Sequence, residues 1–401
     1  MGAIIYPAFF PDPWTRPGTA MHTLKSLFHT TKMVSGMISG RVLTGPQSVQ
    51  LSLVDSCNYR CIMCWEHSSE FEGWGADELA RRYHADKSNK STSMNFDIYR
   101  DFVTSLSRTG TRKLSFAGIG EPLLHRHVAE AVAFAKSKGM TMWVTTNGSR
   151  LDRELMAALV KAGLDDLCVS INAGSSADYA LVHKNQEPAR FDEIIQNLSW
   201  LNEYKKKNAL DHPRITLSNV ISRMNSERVI DMMESGIRVG AAKVSYRPLG
   251  AFPLTEKFML DEAGLRTVRN SFSQVRELGE RHGIQTDIED FDNLLALRRN
   301  SALMSPCFAG WLFPFVLANG DVTFCCLSRE VVGNLGDSSF ESIWYSARRK
   351  RLNDLATRIH RTQEALPNSR CHGCEQMLAN QRIYRRLWPV WGRPRFDQRT
   401  P

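Results

Sequence analysis

The chain has 401 residues, 42% of them hydrophobic and 23% charged, and a formal net charge of +9. That length and balance bury at least one sizeable core and suit two domains with extensions, as in an ordinary soluble globular protein. No run approaches the roughly 18 to 20 uninterrupted apolar residues of a membrane span, and the basic residues are spread along the chain, which argues against nucleic acid as a partner.

The N-terminal run IIYPAFFPDPW is too short and too proline-rich for a signal peptide, so the expected location is cytoplasmic. Nine cysteines in that reducing compartment point to metal rather than disulfides, and eight of them fall in two clusters. Residues 1–47 read as an extension. Within it, 21–43 sets apolar residues at helical spacing with basic residues between them, to pack over the barrel or to lie on an acidic membrane surface or partner.

Residues 48–55 (SVQLSLVD) alternate like a strand and run into the loop CNYRCIMCW. A polar stretch, 66–93, follows and suits a lid. Helix FDIYRDFVTSLSR, strand RKLSFAG, helix HVAEAVAFAKSKG and strand MTMWVTTNG come next; then helix RELMAALVKAG, strand DLCVSIN, helix FDEIIQNLSWLNEYKKK, strand RITLSNVI, helix SERVIDMMESGIRVG and strand AKVSYRPL. Six strands alternating with helices predict a parallel α/β sheet over 48–260, either doubly wound or a full or partial barrel. Residues 261–304 read as a helical linker, 305–376 as a small cysteine-rich α+β domain with short strands WLFPFVLA and DVTFCC around an Asn319-Gly320 turn, and 377–401 as a basic, aromatic tail.

Ligand sites of parallel sheets lie at the C-terminal strand ends, where the first cysteine loop falls. Cys57, Cys61 and Cys64 lie within eight residues, so their sulfurs can converge without outside help. A structural zinc site wants four ligands, and only His67 is near. A [4Fe-4S] cluster held by three thiolates leaves one iron open to a small molecule.

The pattern Cys57-x3-Cys61-x2-Cys64 after a first strand resembles the signature of the radical S-adenosylmethionine (SAM) superfamily. Gly118-Ile119-Gly120-Glu121-Pro122 after the second strand resembles that family's Gly-Gly-Glu-Pro motif, with Ile119 in place of a glycine. The resemblance implies a parallel (βα)6 partial TIM-type barrel whose cluster cysteines Cys57, Cys61 and Cys64 hold a [4Fe-4S] centre, with SAM chelated by its open iron. It further implies that Gly118, Gly120, Glu121 and Pro122 line the cofactor's methionine half. Asn147, in the Thr146-Asn147-Gly148 turn, and Ser170, Asn172, Asn219 and Arg247 are the remaining expected cofactor contacts; the arginine can pair a carboxylate bidentately. Cys168, inside an apolar strand, reads as a small buried hydrophobe.

Cys307, Cys325, Cys371 and Cys374, with Gly320 between the first two, resemble the SPASM/twitch extension of the same superfamily, in its shorter form with a single auxiliary [4Fe-4S] cluster. Cys326 beside Cys325 leaves that ligand open, and zinc is the alternative metal. The implied chemistry is reductive cleavage of SAM to a 5′-deoxyadenosyl radical that takes a hydrogen atom from a substrate. A flavodoxin or ferredoxin would supply the electron, and the auxiliary cluster would accept one, giving an oxidoreductase. Peptide-modifying relatives often carry an N-terminal winged-helix domain, and 47 residues precede the first strand here, so a small biosynthetic intermediate is the favoured substrate, with a peptide or protein as the alternative. The reading of another class, a zinc-bound interaction or nucleic-acid-binding module, rests on the net charge and the tail.

Overall fold

The computed structural model describes residues 24–64, 66–68, 92–250, 255–299 and 303–391. The predicted lid therefore lies mostly outside the described residues, as do 1–23 and the end of the tail from 392 onward. The strands are β1 Val49–Leu51, β2 Lys113–Phe116, β3 Thr141–Thr146, β4 Asp166–Ser170, β5 Arg214–Ile221, β6 Lys243–Pro248, β7 Phe315–Val316, β8 Asp321–Thr323 and β9 Val331–Asn334. The helices are α1 Leu24–Ser39, α2 Phe96–Arg108, α3 Val128–Ser137, α4 Arg153–Lys161, α5 Ser176–Val182, α6 Ala189–Lys207, α7 Val229–Arg238, α8 Glu262–His282, α9 Phe291–Arg299, α10 Ala309–Leu312, α11 Phe340–Trp344, α12 Ala347–Ala356, α13 Ile359–Thr362 and α14 Gln376–Trp391.

Strand alternation builds one continuous sheet in the order β6-β5-β4-β3-β2-β1-β7-β8-β9. The first six strands are parallel and follow one another in chain order, as a partial (βα)6 barrel requires. Residues facing each other across the ladder share a face. One face carries Leu114, Met142, Val144, Leu167, Ile215, Leu217 and Val244, all buried against the helices. The other carries Gln50, Ser115, Trp143, Thr145, Cys168, Thr216, Ser218 and Ser245, all small or polar side chains apart from Trp143, which face the lumen. Cys168 is fully buried there.

Local chemistry fixes the helix starts. Asn95 caps α2 by accepting from the backbone N–H groups of Asp97 and Ile98, Asp152 caps α4, and Ser175 with Asp178 forms a capping box on α5. Gly283 ends α8 in the left-handed region, φ +67°.

The C-terminal region does not stand apart from the barrel. Strand β7 runs parallel to β1, and β8 and β9 continue antiparallel from it. The predicted strand 311–318 is correspondingly shorter. Ala309–Leu312 form a helical turn, Pro314 holds Phe313 extended, and only Phe315 and Val316 pair. The predicted first strand, 48–55, is likewise trimmed to Val49–Leu51, because Ser52 turns its hydroxyl onto the Val54 carbonyl at 2.8 Å. Helix α1 falls within the predicted 21–43 segment; it buries Met33 and Met37 while leaving Leu27 and Phe28 exposed, and it packs against α10 and α14. The start of the basic tail is helical, with Ile383, Tyr384 and Leu387 buried in α14.

Candidate active site

The cysteine loop leaves β1 at the mouth of the half-barrel and is fastened from three sides. Beneath it lies the second-strand turn. A Cβ on Gly120 would sit 2.3 Å from the Ser56 carbonyl oxygen and 2.4 Å from that of Val54, so only glycine lets the two loops meet. Gly118 adopts φ +143° against the Phe315 ring. Glu121 N–H donates to Ser56 O at 2.9 Å, and Pro122 opens a short 3-10 turn that Glu121 caps.

The Glu121 carboxylate is buried and fully committed. It accepts from Thr146 Oγ1 at 2.6 Å, Asn147 N at 2.7 Å and Leu123 N at 3.1 Å. Burial pushes its carboxyl up to about 7 against the pull of those hydrogen bonds. The GIGEP turn is thereby locked to the Thr146-Asn147-Gly148 turn. From there Asn147 Nδ2 reaches Asn58 Oδ1 at 3.0 Å and lies 3.8 Å from Cys57 Sγ.

The third side is the end of α5. His183 Nδ1 lies 3.0 Å from Cys61 Sγ while its Nε2 meets the Ile171 carbonyl at 3.1 Å. With Nε2 donating to that carbonyl, Nδ1 accepts from the thiol, and burial pushes the imidazole down to about 4. Asn185 closes the strap, accepting from Arg60 N and donating to Asn58 O, both at 2.8 Å. Tyr59 OH and Tyr179 OH share a hydrogen bond of 2.6 Å. His183, Asn185 and Tyr179 were not foreseen, because a lone histidine or tyrosine at a helix end has no spacing signature.

Cys57, Cys61 and Cys64 are part-buried, and burial, with a smaller contribution from the neighbouring cysteines, raises the thiols of Cys57 and Cys61. Burial and the Glu121 charge push Cys57 up to about 12. Such a donor set is costly as bare thiolates, and a cationic centre that takes them as ligands relieves that cost.

Of the remaining predicted contacts, Ser170 stands at the end of β4 on the lumen face. Asn172, at φ +54°, spends its amide oxygen on Val220 N at 2.9 Å. The ladder sets Asn219 beside Tyr246 on the helix-packed face, away from Arg247. Arg247 faces the lumen. Its Nη2 donates to Asp287 at 3.2 Å, and its buried Nε and Nη1, like the lumen-facing Ser218 Oγ and Gln50 Oε1, have no partner among the described residues. Those orphaned polar atoms suit a polar ligand in the lumen.

The second set gathers from three segments. Cys307 precedes α10, Cys325 and Cys326 follow β8, and Cys371 and Cys374 flank a turn before α14. Burial and the other four cysteines raise Cys374, and burial with Cys371 pushes Cys325 up to about 12. Cys326 stands in the group that Cys374 feels, so the choice between the adjacent pair stays open. Leu366 N donates to Cys371 Sγ at 3.4 Å. An ion pair between Arg329 and Glu66 ties this region to the segment just after the first cysteine loop. Among the described residues, no three histidine, cysteine or carboxylate side chains are drawn together as a single metal ion would need.

Both cysteine sets fall within stretches that match known families. The family model of the Radical SAM superfamily matches residues 51–235, and that of an iron-sulfur cluster-binding domain, SPASM, matches residues 307–375. An AdoMet-dependent heme synthase of Methanosarcina barkeri is 22% identical over 75% of this chain and 83% of its own length. A PqqA peptide cyclase of Xanthomonas campestris is 25% identical over 61% of this chain and 64% of its own. A GTP 3′,8-cyclase of Chlorobaculum tepidum is 30% identical, but over 38% of this chain and 40% of that protein. In fold, Streptococcus suis SuiB bound to S-adenosylmethionine superposes with a TM-score of 0.58 over 82% of this chain and 72% of its own, at 14% identity.

Proposed function

Because the chain belongs to the radical SAM superfamily and carries a SPASM iron-sulfur cluster-binding domain, we propose that it cleaves SAM reductively at Cys57, Cys61 and Cys64 and abstracts a hydrogen atom from a small biosynthetic intermediate, with net oxidation. The observation that carries this is the three-cysteine loop pinned at the barrel mouth by Gly120, Glu121 and Asn147. A [4Fe-4S] centre held by Cys57, Cys61 and Cys64 would supply, once reduced, the electron for reductive cleavage of SAM, and the radical so made would take hydrogen from the substrate.

The chain's own residues hold and orient. Gly120 gives close backbone approach, Asn147 steadies Cys57, and the strand-end carbonyls near GIGEP suit an ammonium group. Arg247, with two unpartnered nitrogens on the lumen face, suits a carboxylate. Cys307, Cys371, Cys374 and one of Cys325 and Cys326 would hold the auxiliary cluster, whose full ligand set suits it to take an electron from a substrate radical. A flavodoxin- or ferredoxin-type donor would reduce the first cluster. No helix among the described residues is long and apolar enough to cross a membrane, and we place the enzyme in the cytoplasm, where its cysteines stay reduced.

The longest of these alignments, to the heme synthase, supports a small-molecule substrate. The alignment to the PqqA peptide cyclase supports the second reading, a peptide-modifying maturase. An anaerobic preparation reconstituted with iron and sulfide tests the proposal. The expected result is about eight irons per chain and 5′-deoxyadenosine formed on adding SAM and dithionite. Zinc in place of iron, with no 5′-deoxyadenosine, would reject it.

A further inference from the structure

Arg349, on α12, is fully buried. Its Nη2 donates to the Gly310 carbonyl at 3.0 Å, and its guanidinium lies 3.8 Å from the centre of the Trp344 ring and 5.4 Å from that of Phe324. Its Nε and Nη1 have no partner, and no carboxylate pairs with it among the described residues. Asn353, one turn further along α12, is also fully buried with both amide atoms unpartnered. A cation sealed from water with one carbonyl and two ring faces is left far short of the solvation it gave up. Its compensation must come from an anion other than a carboxylate of the described residues.

That anion has a place. Phe324, whose ring the guanidinium faces, directly precedes Cys325; Gly310, whose carbonyl it holds, lies three residues after Cys307; and the Cys307 N–H donates to the carbonyl of Ala356, on the same helix α12, at 2.9 Å. We infer that Arg349 is the fixed counter-cation of the C-terminal cysteine site, holding its thiolates in a dry pocket and making the metal centre bound there easier to reduce. The inference rests on the auxiliary-site reading above only for the identity of the metal. Net charge and local electrostatics are among the main determinants of an iron-sulfur potential, so a buried guanidinium stabilises the added electron. Arg349 touches neither substrate nor the radical; it acts through the thiolates as a positioning and tuning residue.

Wild type, Arg349→Lys and Arg349→Met, loaded anaerobically with iron and sulfide, would be challenged with a chelator and then titrated reductively with EPR detection. The auxiliary signal is the one that adding SAM leaves unchanged. The Lys variant should track wild type, whereas the Met variant should lose its C-terminal iron several-fold faster and show a more negative midpoint. Without metal the order should reverse: Met, relieved of an uncompensated charge, should melt at or above wild type. Iron retention and midpoint unchanged in Arg349→Met would overturn the inference. So would equal destabilisation of that variant with and without metal, which would mark a residue that only packs. Zinc found in place of iron would reject the cluster reading, and retention of zinc in the same three proteins would still decide the role of Arg349. If Arg349→Met yields no soluble protein, Arg349→Gln carries the same measurements.

Discussion

The two cysteine sites of this chain solve one problem in opposite ways. At the barrel mouth, three cysteines within eight residues bring their own geometry, and the surrounding fold fastens the loop through Glu121, Asn147 and His183. In the C-terminal region the cysteines come from three separated segments, and tertiary packing alone assembles them. Their electrostatic surroundings differ in sign as well. Glu121 pushes Cys57 and Cys61 toward the neutral thiol, whereas Arg349 draws Cys325 toward the thiolate. An anionic neighbour resists the addition of an electron and a cationic one eases it, so the first site suits a strongly reducing centre and the second an acceptor.

The sharpest way to break this division is to remove one ligand from the first site. Cys61→Ala should lower 5′-deoxyadenosine formation by a factor of about 1,000 or more while leaving about four irons in the C-terminal site. Loss of all iron would mean that the two sites are not independent. Gly120→Ala comes next, because its methyl would meet two backbone oxygens that cannot turn aside. We expect overpacking to cost about 1–3 kcal/mol, with occupancy lost at the first site and kept at the second. Iron counts and a thermal melt of the metal-free protein check both halves.

This contrast also explains what could be read in advance. The alternation of SVQLSLVD and its successors and the spacing of Cys57, Cys61 and Cys64 are local, and local chemistry is legible in a linear string. The pairing of β7 with β1 is not, since it joins residues more than 250 positions apart. Trp311 and Leu312 looked like strand because they are apolar, but Pro314 and the burial of α10 override that preference. His183 and Arg349 carry no motif, and their meaning comes entirely from what the fold sets beside them.

A smaller effect sharpens the link between the two halves. Arg329 and Glu66 form a largely buried ion pair across them. Arg329→Met removes this ion-pair partner from the Glu66 carboxylate and should destabilise by about 3 kcal/mol, the low end for breaking a buried pair. Arg329→Met with Glu66→Leu should recover most of it, and chemical denaturation of the single and double variants measures the coupling. If the double variant is no more stable than the single, the pair does not join the regions.

The mildest change tests whether the fastening of the first loop is distributed. Tyr59→Phe removes the shared hydrogen bond with Tyr179 at 2.6 Å and leaves one buried hydroxyl without that partner. The expected cost is about 1–2 kcal/mol in a melt of the metal-free protein. The loop keeps its ties to Glu121, Asn147 and Asn185, so iron content at both sites should stay at the wild-type level. Loss of iron from the first site alone would show that the Tyr59–Tyr179 bond, rather than the ring of ties around the loop, holds Cys57 and Cys61 in register.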